Sequence, residues 1–222
     1  AAMDDLGRFV VRMLGDSPAA RAADERARGG GGDGERTAML RAAVAAVRQG
    51  AEPAPEPSPT APAATDPDAG DRPTDPARLA DAVAGELAAA CDRLPIAERE
   101  VLALRELLGL SYDEIADVTD VERDAVAPLL ARARLHLREA LRGAAHPEPA
   151  CDERERALRT IALRQDGEEV LAADENWLID HLGHCRGCRQ VHAAMLEASA
   201  CYRAWTSPEV PSDPVAEAGT GS

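Results

Sequence analysis

Residues 94–141, LPIAEREVLALRELLGLSYDEIADVTDVERDAVAPLLARARLHLREAL, constrain this chain more than any other stretch. Apolar residues recur there at helical spacing in three sets with short breaks between them. Val101, Leu102, Leu104, Leu107 and Leu108 form the first, Ile115, Ala116 and Val118 the second, and Val126, Leu129, Leu130, Ala133, Leu137 and Leu141 the third. Each set gives a helix with one buried stripe. Ser111 ahead of Asp113-Glu114 reads as an N-cap followed by acidic first-turn residues. Asp120 marks the second gap. A short helix, a tight turn and a longer helix form the helix-turn-helix plan. The chain is expected to be all-α.

Outside this stretch the apolar signal is sparser. Residues 4–16 give a short amphipathic helix with Phe9, Val10, Met13 and Leu14 on one face, and Ala19–Arg28 and Thr37–Gln49 give two further candidates. Residues 51–73 are rich in Pro, Ala and acidic side chains. They hold too little apolar area to offset ordering entropy, so they read as an extended linker. Leu79, Val83 and Leu87 place a helix over 75–90, with Cys91, read as a small buried apolar residue, at its end. The segment 207–222 is Pro-, Gly- and acid-rich and is expected to be disordered.

The charge balance bears on partners. All 25 basic residues are arginine, and the net charge is −15. A free-standing DNA binder is usually basic. This balance argues for delivery to DNA by a partner, or for a protein partner instead. Nothing in the sequence approaches the ~20 apolar residues of a membrane span. The N-terminal residues show no secretory leader pattern, so a cytoplasmic location is expected. There is no Gly-rich phosphate loop and no nucleophile–base order, so no enzyme is expected.

Cysteines in a reducing compartment read first as metal ligands or buried thiols. The run HLGHCRGC contains H-x3-C-x2-C: His181, Cys185 and Cys188. His181 and Cys185 are four apart and share a helical face, and the helix is expected to end near Gly187. Three donors within eight residues suit a tetrahedral ion, and a thiolate–imidazole set favours Zn²⁺. Cys151 is the best candidate for a fourth ligand, with His184 and His192 as rivals. Trp177 and Trp205 read as packing residues, and Cys201 as unligated.

Two resemblances follow from these residues. Leu94-Pro95, Glu98, Val101, Leu104-Arg105, Gly109-Leu110-Ser111-Tyr112, Glu114-Ile115-Ala116 and Arg132-Ala133-Arg134 together resemble region 4 of the extracytoplasmic-function sigma factors of bacterial RNA polymerase. The resemblance implies a four-helix module, residues 74–145, that binds core RNA polymerase and reads promoter −35 DNA. It also nominates Ser111, Tyr112, Arg123, Arg132 and Arg134 as DNA contacts. One departure is Ala127-Pro128-Leu129, where such proteins usually carry cations. Arg12-Met13-Leu14-Gly15-Asp16 resembles a turn in region 2 of the same proteins, which makes residues 1–50 a shortened region 2-like segment without the aromatics that hold flipped bases. Cys151, Asp166-Gly167-Glu168, His181-Leu182, Cys185 and Cys188 resemble the zinc-binding anti-sigma domain, here residues 151–206. The expected architecture is a helix-turn-helix module and a small helical zinc-binding domain, joined by the linker to the N-terminal segment. The implied function is transcription initiation modulated by the zinc domain. The alternative is an interaction module that acts on polymerase, or on another sigma or anti-sigma factor, without reading DNA.

Overall fold

The computed structural model describes Phe9, Met13 and residues 33–50, 84–143 and 151–205. Eight helices and no strand occur among these residues: α1 (Asp33–Gly50), α2 (Ala84–Asp92), α3 (Ile96–Glu106), α4 (Tyr112–Thr119), α5 (Arg123–Arg142), α6 (Arg154–Gln165), α7 (Ala172–His184) and α8 (Arg186–Ala204). The described residues are all-α, as the periodicity requires. The N-terminal half of the expected 75–90 helix, the remainder of 4–16 beyond Phe9 and Met13, Ala19–Arg28, the linker and the segment 207–222 lie outside the described residues. No helix among the described residues is long and apolar enough to cross a membrane.

The three apolar sets became α3, α4 and α5. Val101, Leu102, Leu104, Ile115, Val126, Leu130 and Leu137 are all fully buried. Burial of each such side chain contributes about 1.5–3 kcal/mol. α4 starts at a complete capping box: Ser111 Oγ accepts from the Glu114 N–H, and the Glu114 carboxylate accepts from the Ser111 N–H at 2.8 Å. Such a cap contributes about 1 kcal/mol. The Ser111 N–H, and then its hydroxyl, hold the Glu114 carboxyl below the usual carboxylate range. Asp120 ends α4 with φ at +58°, a left-handed turn that Asp tolerates better than most residues. That turn lets α5 begin three residues later.

α5 is the central element, with α2, α3, α4, α6 and α8 all packed on it. Pro128 lies inside it and withholds one N–H from the helical ladder. Ala127 is 2% exposed and belongs to the core. A cation at that position would be buried, so its absence reflects packing and is no loss of surface charge.

α1 packs on α4. Arg48 donates to both oxygens of the Glu100 carboxylate at 2.7–3.2 Å and to the Thr119 carbonyl at 3.0 Å, while Arg41 donates to the Asp117 carbonyl at 2.6 Å. Phe9 and Met13, both helical and buried, belong to the same core cluster as these helices. Cys91 is buried within α2.

Candidate functional site

Two polar clusters are built at the two ends of α6. At its start stands Cys151. The ligand atoms of Cys151, His181, Cys185 and Cys188 all lie within 4.8 Å of one another, and Cys151 Sγ is 3.5 Å from His181 Nε2. The expected single helix through 181–187 is in fact two. α7 ends at His184, Cys185 is extended with φ −89° and ψ 101°, and α8 starts at Arg186. A continuous helix would carry Cys188 two turns past His181 on its own surface. The break at Cys185 turns the chain, so that Cys188, in the first turn of α8, faces back towards His181. Arg189 donates to the Leu182 and Gly183 carbonyls at 2.6 and 3.0 Å and satisfies orphan carbonyls at the end of α7.

The donor set fits a metal ion. Cys188 is 1% exposed, and burial, with Cys185 and Cys151 adding to it, pushes its thiol up to about 12. Cys185, which accepts first from the Cys188 N–H, is lowered. Buried thiolates need a cation beside them, and three thiolates with one imidazole match the tetrahedral preference of Zn²⁺. Four protein donors would leave such an ion no open position, as in structural sites. The rival His184 is exposed, its Nδ1 turned to the Asp180 carbonyl at 2.9 Å, and His192 is outside the cluster. Cys201 is buried, which pushes its thiol up to about 11, and is also outside it. Trp177, expected simply as packing, stacks on His181 with centroids 4.8 Å apart, and the Arg156 guanidinium lies 4.1 Å from the Trp177 ring centroid. Trp177 orients the ring of a candidate ligand, as outer-shell groups of metal sites do.

At the other end of α6 the turn Asp166-Gly167-Glu168 reaches the helix-turn-helix. Arg134 is completely buried. It donates to Glu106 Oε1 at 2.7–2.9 Å and to both oxygens of Asp166 at 2.6 and 3.0 Å. The Tyr112 hydroxyl donates to Asp166 Oδ2 at 2.6 Å, and Arg105 donates to the Asp166 carbonyl. On α8, Ser199 and Arg203 each donate to Glu106 at 2.6 Å. Glu168 accepts from the Tyr112 N–H at 3.1 Å, putting a carboxylate at the positive N-terminal end of α4. Burial works to lower the Arg134 value, but the Glu106 and Asp166 carboxylates outweigh it and the net shift is upward. Tyr112 is also raised, by burial first and then by Asp166.

The nominated DNA contacts therefore separate into two groups. Arg123 and Arg132 are exposed on α5, with side chains 42% and 55% accessible. Arg123 pairs with Asp113 at 2.7 Å and Arg132 with Glu98 at 3.8 Å. Ser111 is half-buried and occupied by its cap. Arg134 and Tyr112 correct the expectation: both are 0% exposed and hold Asp166, so neither offers a donor to DNA in this arrangement. Sequence reasoning missed Arg105, Glu106, Ser199 and Arg203 as members of one cluster. It met Asp166 and Glu168 as markers of a helix end and gave them no role.

Residues 84–137 match the family model Sigma-70, region 4. No curated protein and no solved structure gives a significant match. The matched segment runs from α2 into α5 and leaves both clusters' C-terminal residues outside it. α2 to α5 are thus similar to region 4 of the sigma-70 proteins, non-enzymatic regulators, and this supports a sigma-like role in transcription initiation.

Proposed function

We propose that this chain is a transcription-initiation regulator of the extracytoplasmic-function sigma class. Its helix-turn-helix, residues 74–145, binds core RNA polymerase and promoter DNA. The unit from 151 to 206 holds Zn²⁺ through Cys151, His181, Cys185 and Cys188 and modulates the helix-turn-helix. Residues 1–50 serve as a shortened region 2-like segment. Bound zinc would neutralise the thiolates and tie the start of α6 to the α7–α8 junction; the chain's own residues do the rest. Asp166 and Glu168 dock the unit, and Arg134, Tyr112 and Arg105 receive it.

That docking is the observation that carries the reading. A carboxylate pair from the C-terminal unit occupies the fully buried Arg134 and the N-terminus of α4, so the unit and the region 4-like helices share one set of contacts. Run-off transcription with purified core polymerase and fragmented genomic DNA, with this protein as the sole initiation factor, tests it. Defined start sites are expected. Glu168→Gln is expected to change polymerase or DNA affinity, and an unchanged affinity would remove the modulating role.

The burial of Arg134 and Tyr112 and the net charge of −15 favour a second reading, an interaction module that acts on polymerase or on another sigma factor by protein contact alone. Stable polymerase binding without transcripts is its expected result.

A further inference from the structure

The arginines of this acidic chain are not evenly spread. A cleft of about 920 Å³ opens between α5 and α6, lined by Arg123 and Arg132 from one side and Arg154, Arg156 and Arg159 from the other. Glu155, Glu169 and Asp174 also line it, and Asp113, Glu98 and Asp124 pair with Arg123, Arg132 and Arg159, so what marks the cleft is the clustering and exposure of its arginines and not a surplus of positive charge. Arg156 and Arg159 are three apart and share a face of α6. Their side chains are 43% and 52% accessible. Arg156 pairs with Asp174 at 2.7 Å and Arg159 with Asp124 at 3.3 Å. Exposed pairs of this kind are worth ~0–1 kcal/mol and yield to a phosphate. Arg156 is held from behind by Trp177, which limits the entropy lost when it binds.

We propose that this cleft is a phosphate-binding strip for duplex DNA, in which Arg156 and Arg159 of the C-terminal unit hold the backbone beside the recognition helix α5. The inference rests on the region 4 reading above and extends it. The C-terminal unit becomes part of the DNA surface, with α6 supplying the phosphate contacts that Arg134, buried, does not. Phosphate contacts position a recognition helix and carry no sequence information themselves.

The test measures binding of the full zinc-loaded chain to a fluorescent duplex against salt concentration. Each phosphate contact contributes about 0.9 to the slope of log K against log salt. Arg156→Gln/Arg159→Gln is expected to lower the slope by about 2 and weaken binding to all duplexes alike. Arg159→Gln alone, which leaves the Arg156–Trp177 contact in place, is expected to lower it by about 1 with unchanged zinc content. An unchanged slope in both variants, while Arg123→Gln/Arg132→Gln loses binding, overturns the strip and leaves the region 4 reading standing. Absence of duplex binding by the unmodified chain at low salt overturns both. Polyglutamate bound in preference to DNA, and lost in the α6 variants, would make the cleft a site for acidic protein segments and likewise overturn the proposal.

Discussion

The cluster at Cys151 precedes α6 and the cluster at Arg134 meets its far end, about 18 Å away by the rise of a 12-residue helix. Both bury polar groups, and they satisfy them differently. The first gathers three thiols and an imidazole, with three of its members within residues 181–188. Its donors repel one another once deprotonated, and an ion from solution could compensate them. The second gathers Arg134, Glu106, Asp166, Tyr112, Ser199 and Arg203, with pairs separated by 28 to 97 positions. Its charges are compensated by the protein itself. The first cluster could be completed by a metal ion, and the second is completed by residues of the C-terminal unit.

Removing one ligand breaks the comparison at its metal end. The wild-type chain is expected to carry one zinc, measured by elemental analysis. Cys188→Ser is expected to lose more than the 10–100-fold in affinity that is roughly typical of outer-shell changes. Hydrogen exchange should rise in α7 and early α8 and stay unchanged in α3–α5; equal loosening of α3–α5 would show that the two clusters are not independent. Because ligation needs deprotonated thiols and neutral imidazole, zinc occupancy should fall as the solution is acidified.

At the other end, Arg134→Ala leaves Glu106 and Asp166 as buried carboxylates without their central cation. Loss of one partner from a buried pair costs about 3–5 kcal/mol, readable by denaturant unfolding with zinc content unchanged. A loss below 1 kcal/mol would mean that Arg105, Arg203 and water compensate for it. Glu168→Gln is milder. It removes a charge from the N-terminus of α4 and keeps an acceptor, so about 0.3–1 kcal/mol is expected, with the salt dependence of stability as the check.

The smallest effect sharpens the pH contrast. Glu98 accepts from His136 Nδ1 at 2.6 Å. This hydrogen bond first, partly opposed by burial, raises the imidazole above its ordinary 6.5. The His136 side chain is 46% exposed, so the contribution stays under about 1 kcal/mol after screening. The raised folded value fixes the sign: the stabilisation is full below 6.5 and is lost as pH rises through the folded value. His136→Gln should flatten that limb of the stability profile, and an unaltered profile would remove the pair from the account.

Much of the fold and one of the two clusters were legible in residue order. The apolar sets of 94–141, the Ser111 cap and H-x3-C-x2-C are all patterns within a few helical turns. There, 3.6-residue periodicity and ligand spacing act directly on the chain. Cys151 was reached by chemistry, because a tetrahedral ion needs a fourth donor. The break at Cys185 was not legible, since four-residue spacing fits a continuous helix equally well. Ala127 read as a missing cation until its burial placed it in the core. Arg134 was misjudged for the opposite reason: an arginine on a helix is solvated unless something covers it, and what covers it is Asp166, 32 positions away.

The sequence alone determined the all-helical class, the helix-turn-helix order and the identity of the metal-competent donors, because backbone periodicity, capping and ligand chemistry are local. The tertiary structure decided which face of α5 is open, which arginines remain for a partner, and that the Asp166–Glu168 turn joins the C-terminal unit to the helix-turn-helix. These depend on desolvation and on charge pairs that form when distant helices pack. Their energies follow from three-dimensional neighbours and leave no spacing in the chain to read.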